Sequence, residues 1–115
     1  MDLQHLPVID WEMAMKLAGN NRHLAEDILA LFIKNIPDEL AAINQSFQDK
    51  NYREMCKQVH KLHGALCYCG LPRLKTLAAD LEFRLKSEVL NDLPALVQLL
   101  NHEVNELLAN YANSA

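Results

Sequence analysis

The chain has 115 residues, half of them hydrophobic, with only three glycines, four prolines and few aromatics, which favours one packed helical domain over a β-sandwich. Its formal net charge of −4 argues against a general nucleic-acid binder. Because no stretch approaches the roughly 20 apolar residues of a membrane span and residues 1–10 do not resemble a signal peptide, we expect a single cytoplasmic domain, residues 1–115, without direct membrane contact.

Two helices are predicted in the first half of the chain. Residues 1–9 form an extended lead-in, and a short helix follows over 10–18, with Asp10 as its N-cap and Gly19 as its stop. A second helix is predicted over 21–48, because apolar residues recur there every three or four positions.

Pro37 lies within the second predicted helix, and Gly70 directly follows the third. Pro37 lacks the amide hydrogen that a helix interior needs, so we expect a kink or brief break near Asn35 and Ile36 within one helix. A third helix is predicted over 51–69. Gly70 would end it, because glycine adopts the left-handed conformation without strain.

Two further helices, over 71–88 and 91–112, complete the predicted fold. Asn91 is the expected N-cap of the last helix. Glu82 and Lys86, four residues apart, are expected to form an exposed ion pair on the fourth helix. Four long amphipathic helices with short connections predict an all-α fold, an antiparallel up-and-down four-helix bundle with a short extra N-terminal helix.

The third predicted helix carries polar residues whose placement suggests chemistry. His60 lies about 130° from the centre of the apolar face, so its imidazole should face water. Gly64, one turn later, costs the helix about 1 kcal/mol relative to alanine, although nothing within the domain requires a small residue there. Arg53, Lys57 and Lys61 surround this face with positive charge. We therefore predict that a negatively charged partner docks on it.

At these positions the sequence resembles the histidine-containing phosphotransfer (HPt) domains, whose motif reads H-x-x-K-G. Residues 60–64, written HKLHG, match this motif except that His63 stands where the family usually has lysine. Residues 60–75 look most like the C-terminal module of tripartite hybrid sensor kinases of the BarA/GacS type. Three further features extend the resemblance over most of the chain: the IDWEMA segment from Ile9, the stretch 32–37, and Leu81 with Glu82.

The resemblance implies a histidine phosphotransfer domain of a multistep two-component phosphorelay. His60 would accept a phosphoryl group from a receiver-domain aspartate and pass it to a response regulator, while Gly64, Arg53, Lys57 and Lys61 form the docking surface. Such a domain is a phosphoryl carrier without kinase activity of its own, with no cofactor and with Mg²⁺ held by the partner receiver. The parent protein would be a hybrid sensor histidine kinase of the inner membrane, with this domain at its cytoplasmic end.

His63 lies about 70° from the centre of the apolar face, at the margin between core and solvent. One interpretation is a boundary histidine with one satisfied nitrogen. The other is a residue that stabilises the phosphoryl group or orients His60. The sequence leaves both interpretations open.

A metal site is the main alternative function. Cys56, His60, His63 and Cys67 lie within about 60° of one another around the helix, and thiolates and imidazoles are zinc ligands. However, Cys56 and Cys67 would be about 16 Å apart along the axis, so this helix could offer one metal only two neighbouring ligands. A helical zinc-binding bundle and a protein-interaction bundle therefore remain the alternatives to phosphotransfer.

Overall fold

Five α-helices make up most of the chain in the computed structural model, which describes residues 2–113 and has no strand within that range. They are α1 (Trp11–Leu17), α2 (Arg22–Gln48), α3 (Tyr52–Leu66), α4 (Pro72–Lys86) and α5 (Leu93–Asn113). Short connections link α2, α3, α4 and α5 in that order. Each of these helices packs on the next, and α5 also contacts α2. The predicted antiparallel four-helix bundle is confirmed, and α1 packs on α2 as the extra N-terminal helix.

Side-chain caps set the starts of the first three helices. Oδ1 atoms of Asp10, Asn21 and Asn51 each accept a hydrogen bond from the backbone N–H three residues later, at 3.0, 3.0 and 3.2 Å. These contacts satisfy amide groups that the first turn of a helix leaves unpaired. The cap at Asn51 therefore fixes where α3, the helix that carries His60, begins.

Two helix boundaries differ from the prediction in ways that have a local cause. α3 ends at Leu66, because residues 67–69 bond to carbonyl groups three positions back and form a tighter turn. α5 begins at Leu93, so the residue that precedes it is Asp92, and the predicted N-cap at Asn91 is wrong. The other predicted helix ends lie within two residues of the observed ones.

α2 is one helix of 27 residues that runs through Pro37. The single helix is as predicted, and the suggested brief break near Asn35 and Ile36 does not occur. Ile36 is buried and Pro37 is exposed, so water can reach the helix at the position that lacks an amide hydrogen. Neither α2 nor any other helix within residues 2–113 is long and apolar enough to cross a membrane.

A single stripe on α3 faces the core of the bundle. Met55, Val59, Leu62 and Leu66 are each at most 1% exposed. Full burial of one aliphatic side chain contributes about 1.5–3 kcal/mol, so this stripe fixes how α3 is rotated in the bundle. The opposite face of α3, which carries His60, is left to solvent as predicted.

The lead-in packs onto the bundle, and its backbone turns at residues 4 and 5 and bends again at residues 8 and 9. The prediction of an extended segment is therefore wrong, although Met1 lies outside the described residues. Leu3 is 3% exposed and belongs to the main core. The backbone N–H of Asp10 donates to the carbonyl oxygen of Gly70 at 2.9 Å. Gly70 has φ of +68°, and a Cβ there would lie 2.7 Å from both the Asp10 carbonyl oxygen and Ala14 Cβ. Glycine is therefore required at this position both for its backbone conformation and for space.

Candidate functional site

One carboxylate on α4 contacts two histidines on α3. Nδ1 of His60 is hydrogen-bonded to Oε2 of Glu82, and Nδ1 of His63 lies 2.9 Å from Oε1 of the same side chain. The ammonium group of Lys86 lies 2.8 Å from Oε2. Glu82 thus joins both imidazoles and one lysine in a single polar cluster.

Glu82 reaches this position because of its place on α4. It lies between the core residues Leu81 and Leu85 in sequence, so its side chain emerges at the seam between α3 and α4. The residue is only 6% exposed. The predicted ion pair with Lys86 is present, but the expectation that Glu82 is exposed is wrong. Since a carboxylate loses its hydration on burial, its three hydrogen-bond donors compensate for the missing water.

These donors keep Glu82 ionised. The ammonium of Lys86 is the largest cause that lowers the pKa of Glu82, the imidazoles of His63 and His60 lower it further, and burial opposes them. The pKa of Glu82 is lowered from its ordinary value of 4.5 to about 2. The same contact raises the pKa of Lys86. At neutral pH Glu82 is therefore a carboxylate that accepts hydrogen bonds and cannot donate them.

The charge of Glu82 determines which nitrogen of each histidine is free. Because the carboxylate only accepts, Nδ1 of both His60 and His63 must carry the proton. A neutral imidazole has one N–H, so Nε2 of each ring keeps its lone pair. The His60 side chain is 69% exposed and that of His63 is 29% exposed. The site therefore presents an oriented, nucleophilic Nε2 to solvent at His60.

The rest of the exposed face lies open around His60. A Cβ built on Gly64 would meet no atom within 4 Å, so packing within the described residues gives no reason for this glycine. Arg53, Lys57 and Lys61 are exposed, and none of them forms an ion pair within residues 2–113. The structure thus places the predicted docking residues on one solvent-facing surface, while their docking role stays a prediction.

The cysteines of this region form local contacts. Within residues 2–113, no group of three or more His, Cys, Asp and Glu side chains is placed to hold a metal ion. The thiol of Cys67 donates to the backbone oxygen of His63, and that of Cys69 to Ala65, at 3.4 and 3.2 Å. Burial, with a smaller effect of Cys67, raises the pKa of Cys69 to about 11, so its thiol stays protonated at neutral pH. These two cysteines therefore help to satisfy backbone groups at the end of α3.

Glu82 is the site residue whose contacts sequence reasoning did not predict. The four-residue spacing indicated its pair with Lys86 but gave it no relation to the histidines. A signal was present, since Glu82 follows the core residue Leu81 at the margin of its stripe, as His63 follows Leu62 on α3. Polar residues of complementary chemistry at the margins of two adjacent helices can meet where those helices pack.

The comparisons with known proteins agree on one kind of domain. A family model described as Hpt domain matches residues 27–110. Sensor histidine kinase GacS of Pseudomonas protegens is 31% identical over 110 residues, which cover 96% of this chain and 12% of that protein. The signal transduction histidine-protein kinase BarA of Escherichia coli is 31% identical over 99 residues, which cover 84% of this chain and 11% of BarA. The chain therefore spans only about a tenth of the length of these relatives.

A solved structure supports the same assignment. The crystal structure of the HPT domain from a sensor hybrid histidine kinase of Shewanella is similar to this fold, with a TM-score of 0.86 and 25% sequence identity. The match covers 93% of this chain and 92% of that one. The likeness thus extends over nearly the whole domain in both proteins.

Proposed function

Because the chain belongs to the Hpt domain family, whose members work in phosphorelays, we propose that His60 accepts a phosphoryl group from a receiver-domain aspartate and passes it to a response regulator. One observation carries this proposal for His60 in particular. Its Nδ1 is bound to the buried carboxylate of Glu82, and the ring is otherwise largely exposed. Nε2 is therefore the nitrogen that an incoming phosphoryl group can reach.

The proposed transfer needs no proton to move. The Nε2 lone pair of His60 attacks phosphorus, the N–P bond forms, and the P–O bond to the receiver aspartate breaks, so the aspartate leaves as a carboxylate. Nδ1 keeps its proton, and the imidazole ring becomes a cation beside Glu82. The carboxylate stabilises this positive charge while the phosphoryl group is carried. The reverse sequence of bond changes transfers the group to the next receiver.

For His63 we favour a contact with the phosphoryl group, and Glu82 determines which nitrogen of the ring can make that contact. Its Nδ1–H is bound to the carboxylate, which leaves Nε2 as its available nitrogen. In the neutral ring Nε2 is an acceptor and repels phosphoryl oxygens, whereas in the protonated ring it donates a charge-assisted hydrogen bond. His63 would therefore hold the phosphoryl group only when it is protonated.

The remaining parts of the reaction belong to the partners in this proposal. The domain acts as a phosphoryl carrier, and the receiver supplies Mg²⁺ and the charge stabilisation that phosphoryl transfer requires. Gly64, Arg53, Lys57 and Lys61 form the surface that a receiver covers. Since the relatives GacS and BarA are sensor kinases by name, we also propose that this domain works with a hybrid sensor kinase, on the cytoplasmic side of the membrane.

The test is transfer from a phosphorylated receiver domain, followed by intact-protein mass spectrometry at neutral pH. The wild type should gain a phosphoryl adduct that mild acid removes, and His60→Gln should gain none. His102→Gln is the matched control, because the His102 side chain is 60% exposed on a different helix. An adduct that persists in His60→Gln would refute the assignment. Tightly bound zinc in place of any adduct would support the metal-binding alternative.

A further inference from the structure

A groove of about 770 Å³ runs beside the N-terminal half of α3 and reaches His60. Apolar parts of Tyr52, Leu85 and Leu90 line it, so it can accept an apolar side chain. It lies between α3, the end of α4 and the connection from α4 to α5. Because His60 is one of its lining residues, anything that fills the groove lies next to the proposed phosphoryl acceptor.

The charge of this groove is opposite to that of the whole chain. Arg53, Lys57 and Lys86 line it together with Glu88, and because Lys86 is paired with Glu82, the unpaired positive charge comes from Arg53 and Lys57. Arg53 and Lys57 have no ion pair within residues 2–113, so their charges are available to a partner. A chain with a net charge of −4 thus concentrates positive charge beside His60. Such a local field attracts an acidic surface.

The proposed chemistry at His60 brings an acidic partner surface close to this groove. A receiver must bring an aspartyl phosphate to Nε2, together with the carboxylates that hold Mg²⁺. On the basis of the proposed function, we infer that this groove takes an acidic segment of the receiver domain with one apolar side chain inserted. The receiver then docks toward the N-terminal half of α3 and the connection after α4, as well as over Gly64.

Replacing Glu88 should change the rate of transfer in the opposite direction, which gives a second test. It has φ of +58° just after α4, and the N–H of Val89 donates to the carbonyl oxygen of Arg84 at 2.9 Å. This turn is therefore held by backbone bonds, and Glu88→Gln leaves them in place. The carboxylate of Glu88 repels an acidic partner, so its neutralisation should speed docking. A residue with only a structural role would not give a faster reaction when it is replaced.

The experiment measures the rate of transfer from a phosphorylated receiver domain, at protein concentrations where association limits the rate. By Coulomb's law in water, each unit of charge changed on this domain, about 10 Å from one unit charge on the receiver, alters the association rate roughly twofold. Arg53→Glu with Lys57→Glu changes four units and should slow transfer roughly 15-fold, while Glu88→Gln should speed it roughly twofold. Lys34→Glu, on the exposed surface of α2, changes two units and should keep the wild-type rate, and it is the matched control for Arg53→Glu alone, which should slow transfer roughly fourfold. Both effects should shrink between about 50 and 500 mM salt.

The outcomes separate the docking site from the chemistry. With the donor in excess, Lys34→Glu should be labelled as the wild type is, whereas the groove variants should differ from the wild type in the rate of labelling. Wild-type rates in the groove variants, equal slowing by Lys34→Glu, or a slower Glu88→Gln would each overturn the docking site and the docking role proposed for Arg53 and Lys57. The assignment of His60 as the phosphoryl acceptor would stand. A wild type that takes up no phosphoryl group from any receiver would overturn the proposed function itself, and this inference with it.

Discussion

Replacing Glu82 by glutamine keeps the shape of the side chain and removes the negative charge that binds both histidines and Lys86. The carboxylate accepts hydrogen bonds from Nδ1 of His60, Nδ1 of His63 and the ammonium of Lys86. An amide has a single acceptor oxygen, so at least one of these donors loses its partner. The amide NH₂ group would also face donors, which adds an unfavourable contact. We therefore expect Glu82→Gln to be less stable than the wild type at neutral pH.

The size of this effect follows from the pKa of Glu82. Lowering that pKa from 4.5 to about 2 corresponds to at most about 3 kcal/mol of stabilisation, since each pKa unit is worth about 1.4 kcal/mol, and solvent screening at the exposed side chains of Lys86 and His60 reduces this figure. Because the folded-state pKa is the lower one, this stabilisation is complete above about pH 5 and is lost as the pH falls toward 2. The difference in unfolding free energy between wild type and Glu82→Gln should therefore reach up to about 3 kcal/mol at pH 7 and narrow steadily below pH 5.

Urea unfolding followed by circular dichroism at pH 7, 5, 4 and 3 measures this difference. Glu26→Gln is the control, because Glu26 pairs with Arg22 at 2.9 Å on the exposed surface, where an ion pair contributes less than about 1 kcal/mol. The subtraction of each variant from the wild type removes the contributions of the other carboxylates. A gap for Glu82→Gln that stays constant from pH 7 to pH 3 would refute the reasoning, because it would show that shape and not charge stabilises the site.

Three further predictions concern Gly64, Gly70 and His63. Gly64→Ala should raise the unfolding free energy by up to about 1 kcal/mol, and Gly64→Gln should keep the circular dichroism spectrum but slow transfer; an unchanged rate would show that no partner approaches this face. Gly70→Ala should lower the unfolding free energy by more than about 2 kcal/mol, measured by thermal denaturation, because its positive φ and its 2.7 Å contacts both oppose a Cβ. His63→Lys should flatten the dependence of phosphohistidine lifetime on pH between about 6 and 9, because lysine titrates near 10.4 and histidine near 6.5. Parallel profiles for wild type, His63→Lys and His63→Ala would mean that His63 takes no part.

The features that sequence reasoning predicted well are those that depend on neighbours along the chain. The apolar stripe of α3 fixes its rotation, so the exposure of His60 and the marginal position of His63 followed from helical geometry alone. The cap at Asp10 and the left-handed Gly70 are likewise set by local backbone chemistry. The wrong prediction of an N-cap at Asn91 also has a local cause, because Asn91 and Asp92 are adjacent and both residue types favour the N-cap position.

The features that sequence reasoning missed depend on how segments distant in the chain pack together. Glu82 lies 22 residues from His60 and 19 from His63, and no rule of spacing within one helix relates them. The contact exists because the packing of α3 against α4 brings their margins together. The burial of Leu3 has a similar origin, since the lead-in is held by the bond between Asp10 and Gly70. The contacts around Glu82 are therefore a tertiary feature, whereas the exposure of His60 is a local one.

In the proposed transfer, the sharing of Glu82 couples the charge of His63 to the presence of the phosphoryl group. Before transfer, the single negative charge of Glu82 is balanced by Lys86, so a proton on His63 would add an uncompensated cation to the cluster. After transfer, the cationic ring of His60 and the phosphoryl dianion together add one net negative charge, and a proton on His63 then restores the balance. A lysine at this position would keep its charge in both states. In this proposal His63 holds the phosphoryl group after transfer and adds no positive charge to the site before it.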